Sequence, residues 1–205
     1  MKLSVHTSFP VAYDSNDHID PKGTKHDNTR KIAFVERTEQ LFVDQKIVFA
    51  DLGCAGGGLV KDFVDRGHSA VGIEGSDYSK VNQRAEWATI PDNLFTADIS
   101  KPFFITTEAN NTGCCDLITS WDVLEHIEER KMYGLLSNIY NNLKTNGLFV
   151  CSIATFPDGP HHVTLRPKEW WVKIFKEFNL NEVEDVYNTE QRLRESSFFL
   201  NVVKG

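Results

Sequence analysis

The densest chemistry in the sequence lies between Val48 and Gly58, where Asp51, Gly53, Ala55, Gly56, Gly57 and Gly58 follow an apolar run. Glycine lets the chain turn tightly and lets a ligand lie against main-chain N–H groups at the start of the next helix. Glu74 stands about 20 positions further on, the spacing at which a carboxylate accepts hydrogen bonds from a ribose diol. Two kinds of cofactor suit such a loop. A dinucleotide fingerprint wants glycine where Ala55 stands, and Asp51 would repel its pyrophosphate. A cationic ligand, carrying an α-amino group or a sulfonium, would be attracted instead. The bland alternative is a glycine turn without a ligand, and the coincidence of strand, acid, glycines, helix and Glu74 weighs against it.

A second group is Asp122, Glu125 and His126, followed late in the chain by the adjacent pair His161 and His162. A carboxylate and an imidazole beside a reactive centre can take a proton from a hydroxyl. Two or three oxygen and nitrogen donors could also hold Mg²⁺, Mn²⁺ or Zn²⁺ weakly. The competing reading gives Glu125 and His126 a structural role at a helix start, and we rank it above metal ligation. For the histidine pair the alternative is a solvated loop with one ring bonded to a carbonyl, and His162 is slightly favoured as the functional one.

These residues need elements to position them. Strand-like runs occur at 46–50, 69–73, 93–97, 116–121 and 148–153, with helical spacing at 37–42, 79–87, 128–143 and 168–178. Met132, Leu135, Leu136, Ile139 and Leu143 share one helical face, as do Trp170, Ile174 and Phe178. Two final strands, 181–187 and 196–203, would form a hairpin at one edge. Alternating strands and helices imply a doubly wound α/β domain of about seven strands, mostly parallel, with helices on both faces. Residues 1–35 show no sustained period and read as a surface arm forming part of a substrate lid, leaving 36–205 as the domain. In that arm His18, His26 and Arg30 are candidates to cover an acceptor, together with Trp170 and Trp171, although the tryptophans fit core packing better.

The loop from Asp51 to Gly57 resembles the first motif of the class I S-adenosylmethionine-dependent methyltransferases, with Ala55 in place of the commonest middle glycine. The segment 116–127 resembles the fourth motif of that family, and the resemblance covers about residues 45–155. It implies the seven-stranded Rossmann-like fold with an antiparallel last strand, and S-adenosylmethionine as cofactor, with S-adenosylhomocysteine as its product. Glu74 then matches the acid of the ribose hydroxyls, and Asp98 the acid of the adenine amino group; read alone, Asp98 is equally a turn or cap residue. The implied cofactor-binding set is Asp51, Gly53, Ala55, Gly56, Gly57, Glu74, Gly75, Asp98, Ile99 and Trp121. The catalytic candidates are His162, His161, His126 and Asp122. Asp122 to His126 is also similar to the Glu-x-x-Glu-His of ubiquinone-pathway and small-RNA 2′-O-methyltransferases, where such residues are implicated in divalent-metal binding. Asp122 in place of the first Glu shortens the reach, so no metal ligand is assigned.

Composition narrows the acceptor. The chain has 205 residues, 40% of them hydrophobic, and a formal net charge of −7. That acidity weighs against nucleic acid, and no apolar run approaches a membrane span. The polar start lacks the apolar centre of a signal peptide, and Cys54, Cys114, Cys115 and Cys151 form no CxxC pair. A reducing, cytoplasmic-type compartment is expected, with the protein a monomer or homodimer. The expected reaction is O-methylation of a small molecule or glycan. Its rivals are a metal-assisted RNA 2′-O-methyltransferase, a cofactor-binding protein without turnover and, more distantly, a nicotinamide dehydrogenase.

Overall fold

Every residue of the segments Val48–Leu52 (β2) and Ser69–Glu74 (β3) is buried, the mark of strands covered on both faces. In the computed structural model, which describes residues 1–43, 45–187 and 197–205, they form the centre of a sheet. The other strands are β1 (Leu3–Thr7), β4 (Leu94–Thr96), β5 (Phe103–Thr107), β6 (Cys115–Trp121), β7 (Leu143–Ala154), β8 (Leu180–Glu182) and β9 (Ser197–Lys204). The helices are α1 (Asn16–Ile19), α2 (Lys22–His26), α3 (Ile32–Leu41), α4 (Gly58–Asp65), α5 (Tyr78–Val81), α6 (Met132–Asn142) and α7 (Lys168–Glu177).

The main sheet has 7 strands in the order β4-β3-β2-β6-β7-β9-β8. The pairings β3–β4, β2–β3, β2–β6 and β6–β7 are parallel, whereas β9 lies antiparallel to both β7 and β8. The expected fold and its edge hairpin are therefore present, although Ser196 lies outside the described residues. Alternation along β2 divides the core in two. Val48, Ala50 and Leu52 pack with residues of α6 and α7 on one side, and Phe49 packs with those of α3 and α4 on the other.

Besides β8, which spans Leu180–Glu182 and not 181–187, and α6, which runs from Met132 to Asn142 so that Leu143 opens β7, three features differ from the sequence reading. Residues 79–87 are not one helix: α5 stops at Val81, and Gln83 and Ala85 take positive φ. The cause is tertiary, since Glu86 N–H donates to Gly56 O and Trp87 Nε1 to Ala55 O, drawing the chain back onto the glycine loop. On α7 the fully buried pair is Trp171 and Phe175, while Trp170, Ile174 and Phe178 flank it half-buried. The arm contains β1, paired antiparallel with β5 in a separate sheet of 2 strands. Five residues are too few to print a period.

Phe49 stacks on Phe63 of α4 at a centroid separation of 3.8 Å and is fully buried. Phe49→Ala is expected to cost about 3–5 kcal/mol of unfolding free energy in urea titrations. A loss under about 1 kcal/mol would show that this face is not the tightly packed one described.

Candidate functional site

Parallel pairing brings the ends of β2, β3 and β6 to one edge of the sheet, with Asp51 beside both Gly72 and Thr119. Ligands of open α/β sheets bind beyond such strand ends. Here a cavity of about 290 Å³ is lined by Gly53, Ala55, Glu74, Gly75, Asp98, Ile99, Trp121, Asp122, Val123, His126 and Ile127. The arm closes it with Ala12, Ser15, Asp17, Gly23, Thr24 and Asp27.

The loop geometry explains its glycines. Gly53 has φ +78°, and a Cβ there would stand 2.3 Å from Val123 Cγ2, so only glycine serves. Ala55 also has positive φ, held by its N–H donating to Glu74 Oε2 at 2.8 Å. Glu74 Oε1 accepts from Ser76 N–H at 3.1 Å and from the Thr24 hydroxyl at 3.3 Å. Burial raises the Glu74 carboxyl above its ordinary range despite these bonds. Asp98 Oδ1 accepts from the Ser100 N–H and hydroxyl, the turn bonds expected of an isolated Asp. Among the described residues nothing bonds its Oδ2, so this cavity-lining carboxylate retains acceptor capacity.

Asp51, Gly56 and Gly57 stand behind the wall instead of on it. Asp51 is fully buried, accepts from Thr119 Oγ1 at 2.6 Å, and is pushed up to about 7 by burial. The space beside Gly56 is taken by Asn28 and that beside Gly57 by Leu94. The wall's charge comes instead from Asp17, Asp27, Glu74, Asp98 and Asp122, and no Lys or Arg is among the described residues that line it. Such a lining suits a cationic ligand, as the fit of a sulfonium and an α-amino group requires.

Of the catalytic candidates, Asp122 and His126 line the cavity; His161 and His162 do not. Asp122 has φ +53° and its Oδ1 accepts from the Ser152 hydroxyl at 2.7 Å. His161 and His162 nevertheless lie close to His126, with ring centroids 6.3 Å and 4.8 Å away. His162 Nδ1 donates to Phe156 O at 2.6 Å, the carbonyl bond foreseen as the bland alternative. Glu125 is fully buried; its Oε1 accepts from Ala154 N–H and its Oε2 has no partner among the described residues. Burial pushes this carboxyl up to about 7, so the proton itself goes far to neutralise it.

The residue that sequence reasoning missed is Asp17. Its carboxylate accepts from His126 Nδ1 at 3.0 Å and from His161 Nδ1 at 3.1 Å. Among the described residues, Asp17, His126 and His161 are near enough together to reach one cation, as are Glu125, His126 and His162. In the first set protons already bridge the donors, and Asp122 belongs to neither. The arm residues singled out from sequence lie elsewhere: His26 is exposed, His18 stands by Asp77, and Arg30 anchors on Asp62 of α4.

Residues 25–186 match the family model described as a methyltransferase domain. No curated protein matches the chain in sequence. The fold is similar to that of an S-adenosylmethionine-dependent methyltransferase from Clostridium acetobutylicum, at 16% identity and TM-score 0.65 over 94% of this chain and 96% of that one. It is also similar to a TehB-like S-adenosylmethionine-dependent methyltransferase from Corynebacterium glutamicum, with 16% identity, TM-score 0.61 and coverage of 89% and 91%. A third similar structure is the Burkholderia thailandensis 1,6-didemethyltoxoflavin-N1-methyltransferase with its substrate and S-adenosylhomocysteine bound, at 17% identity, TM-score 0.59 and coverage of 92% and 84%.

The Asp17–His126 pair makes arm attachment pH-dependent. Burial disfavours the charged ring, but the bond and charge of Asp17 outweigh it and raise His126 above 6.5. Burial likewise opposes ionised Asp17, and His126 and His161 prevail to hold it below 3.8. The raised base stabilises fully below 6.5 and loses this as pH climbs through its folded value; the lowered acid stabilises above 3.8. Wild type should therefore exceed Asp17→Asn by about 0.5–1 kcal/mol in denaturant titrations near pH 6, a margin shrinking toward pH 9. A margin independent of pH would contradict the ion pair.

Proposed function

The chain belongs to the class I S-adenosylmethionine-dependent methyltransferase family, and on that premise we propose that it methylates a hydroxyl group of a small molecule or glycan. The observation that carries this reading is the meeting of His126 and Asp122 with Glu74 and Asp98 in one cavity. Bound S-adenosylmethionine supplies an electrophilic methyl group on a sulfonium. Glu74 would receive the ribose hydroxyls, and Asp98, through its free Oδ2, the adenine amino group. Gly53 and Ala55 would lie along the methionine end, while Gly75, Ile99 and Trp121 complete the walls.

His126 takes the role of base. It lines the cavity, whereas His161 and His162 stand beside it and are not part of the lining. Asp122 contributes charge on the cavity wall, and its bond to Ser152 holds it there. Val123, Ile127 and arm residues line the same space. Methyl transfer is an in-line displacement, so alignment and a proton acceptor are what these residues must supply. No metal is needed for either.

The acceptor reading follows from size and charge. The arm leaves room for a modest molecule, and a lining rich in carboxylates favours a neutral or cationic one over phosphate-bearing nucleic acid. The similar Burkholderia thailandensis structure is an N1-methyltransferase that holds a small molecule, 1,6-didemethyltoxoflavin, so it supports the size of the acceptor and not the atom methylated. The cysteines described are all buried and unpaired, in keeping with a reducing, cytoplasmic setting. No helix among the described residues is long and apolar enough to cross a membrane.

Calorimetry with S-adenosylhomocysteine checks the pocket. Glu74→Ala and Asp98→Ala should each weaken binding by about tenfold or more, as the loss of a charged hydrogen-bond partner does, with circular dichroism unchanged. Affinities of both variants within about threefold of wild type would remove the assignment.

A further inference from the structure

We propose that Asp17 is the positioning residue of His126: the arm's carboxylate fixes the tautomer of the ring, so closing the arm and creating the base are one event. The inference rests on the reading of His126 as base. Asp17 Oδ1 and Oδ2 lie 3.1 and 3.0 Å from His126 Nδ1. A carboxylate there requires a proton on Nδ1, which leaves the lone pair of the neutral ring on Nε2. No described protein group bonds Nε2, and His126 is among the residues that line the cavity. Proton transfer then has a simple balance. The acceptor O–H bond breaks, an Nε2–H bond forms, and the Nδ1 proton stays on the ring, donated to an ionised Asp17 that offsets the new positive charge.

Asp17 meets His126 only because the arm is docked on both sides of it. Upstream, Lys131 Nζ donates to Asp14 Oδ2 at 2.8 Å. The Ser15 hydroxyl caps α1 by accepting from His18 N–H at 3.1 Å. Asn16 donates to Pro160 O, and Lys22 Nζ to Asp158 at 2.8 Å. The same carboxylate also accepts from buried His161, so two rings from two loops fix its orientation. The titratable groups facing His126 are Asp17 from α1, Asp122 and Glu125 from the segment after β6, and His161 and His162 from the loop after β7. Of these, Asp17 alone bonds its ring nitrogen.

The test is long-range ¹H–¹⁵N spectroscopy of histidine-labelled protein with S-adenosylhomocysteine, titrated from about pH 5 to 9. The neutral His126 ring should be protonated on Nδ1 and bare on Nε2. Asp17→Asn should lower its midpoint by about one pH unit and mix the tautomers. A wild-type ring protonated on Nε2, or a midpoint that Asp17→Asn leaves in place, would overturn the proposal. Should the variant release its arm, seen as new tryptic cleavage after Lys22 or Lys25, the wild-type tautomer alone decides. Failure of the wild type to bind S-adenosylhomocysteine would instead count against the functional reading, because the tautomer is read with or without ligand.

Discussion

The hydrogen bond from Ala55 N–H to Glu74 Oε2 ties the loop after β2 to the end of β3, and the site is built around it. It holds Ala55 at positive φ, and with it the turn that brings Gly53 under Val123. The other oxygen of Glu74 receives Thr24 from the arm, so one buried carboxylate joins sheet, loop and cover. Burying that charge is unfavourable, and its neighbours on the cavity wall are acids too. A cationic ligand relieves both penalties, and by mass action anything that binds only the folded state stabilises it.

The second joint is Asp17. Where Glu74 bonds the glycine loop and Thr24 of the arm, Asp17 of the arm bonds His126 and His161. The arm is thus bonded at two points of the cavity lining, Thr24 to Glu74 and Asp17 to His126. Other contacts of the arm, among them Arg30 on Asp62 and Lys22 on Asp158, lie outside the cavity and serve to hold it down.

Sequence made the parallel sheet legible because its central strands are buried on both faces and run as unbroken apolar segments. Asp51, the glycines and Glu74 were legible for a different reason: a tight turn and a spaced acid leave few alternatives of residue type. The arm was not legible. Its strand is five residues long, its helices are single turns, and a carboxylate in a polar stretch carries no sign of which ring it will meet. The split of residues 79–87 was hidden for the same reason, since bonds to Gly56 and Ala55 override local helical spacing. Proximity also reassigned roles among the histidines. The sequence ranks His162 first, whereas the fold puts His126 on the cavity and turns His162 to the Phe156 carbonyl.

The most direct measurement is a crystal structure of the protein with S-adenosylhomocysteine. The account predicts the ligand beneath a docked arm, its ribose on Glu74, its adenine amino group at Asp98 Oδ2, and its sulfur on the side of the cavity that His126 lines. Ligand bound away from the Gly53 loop, or bound there with Asp17 withdrawn from His126, would contradict it.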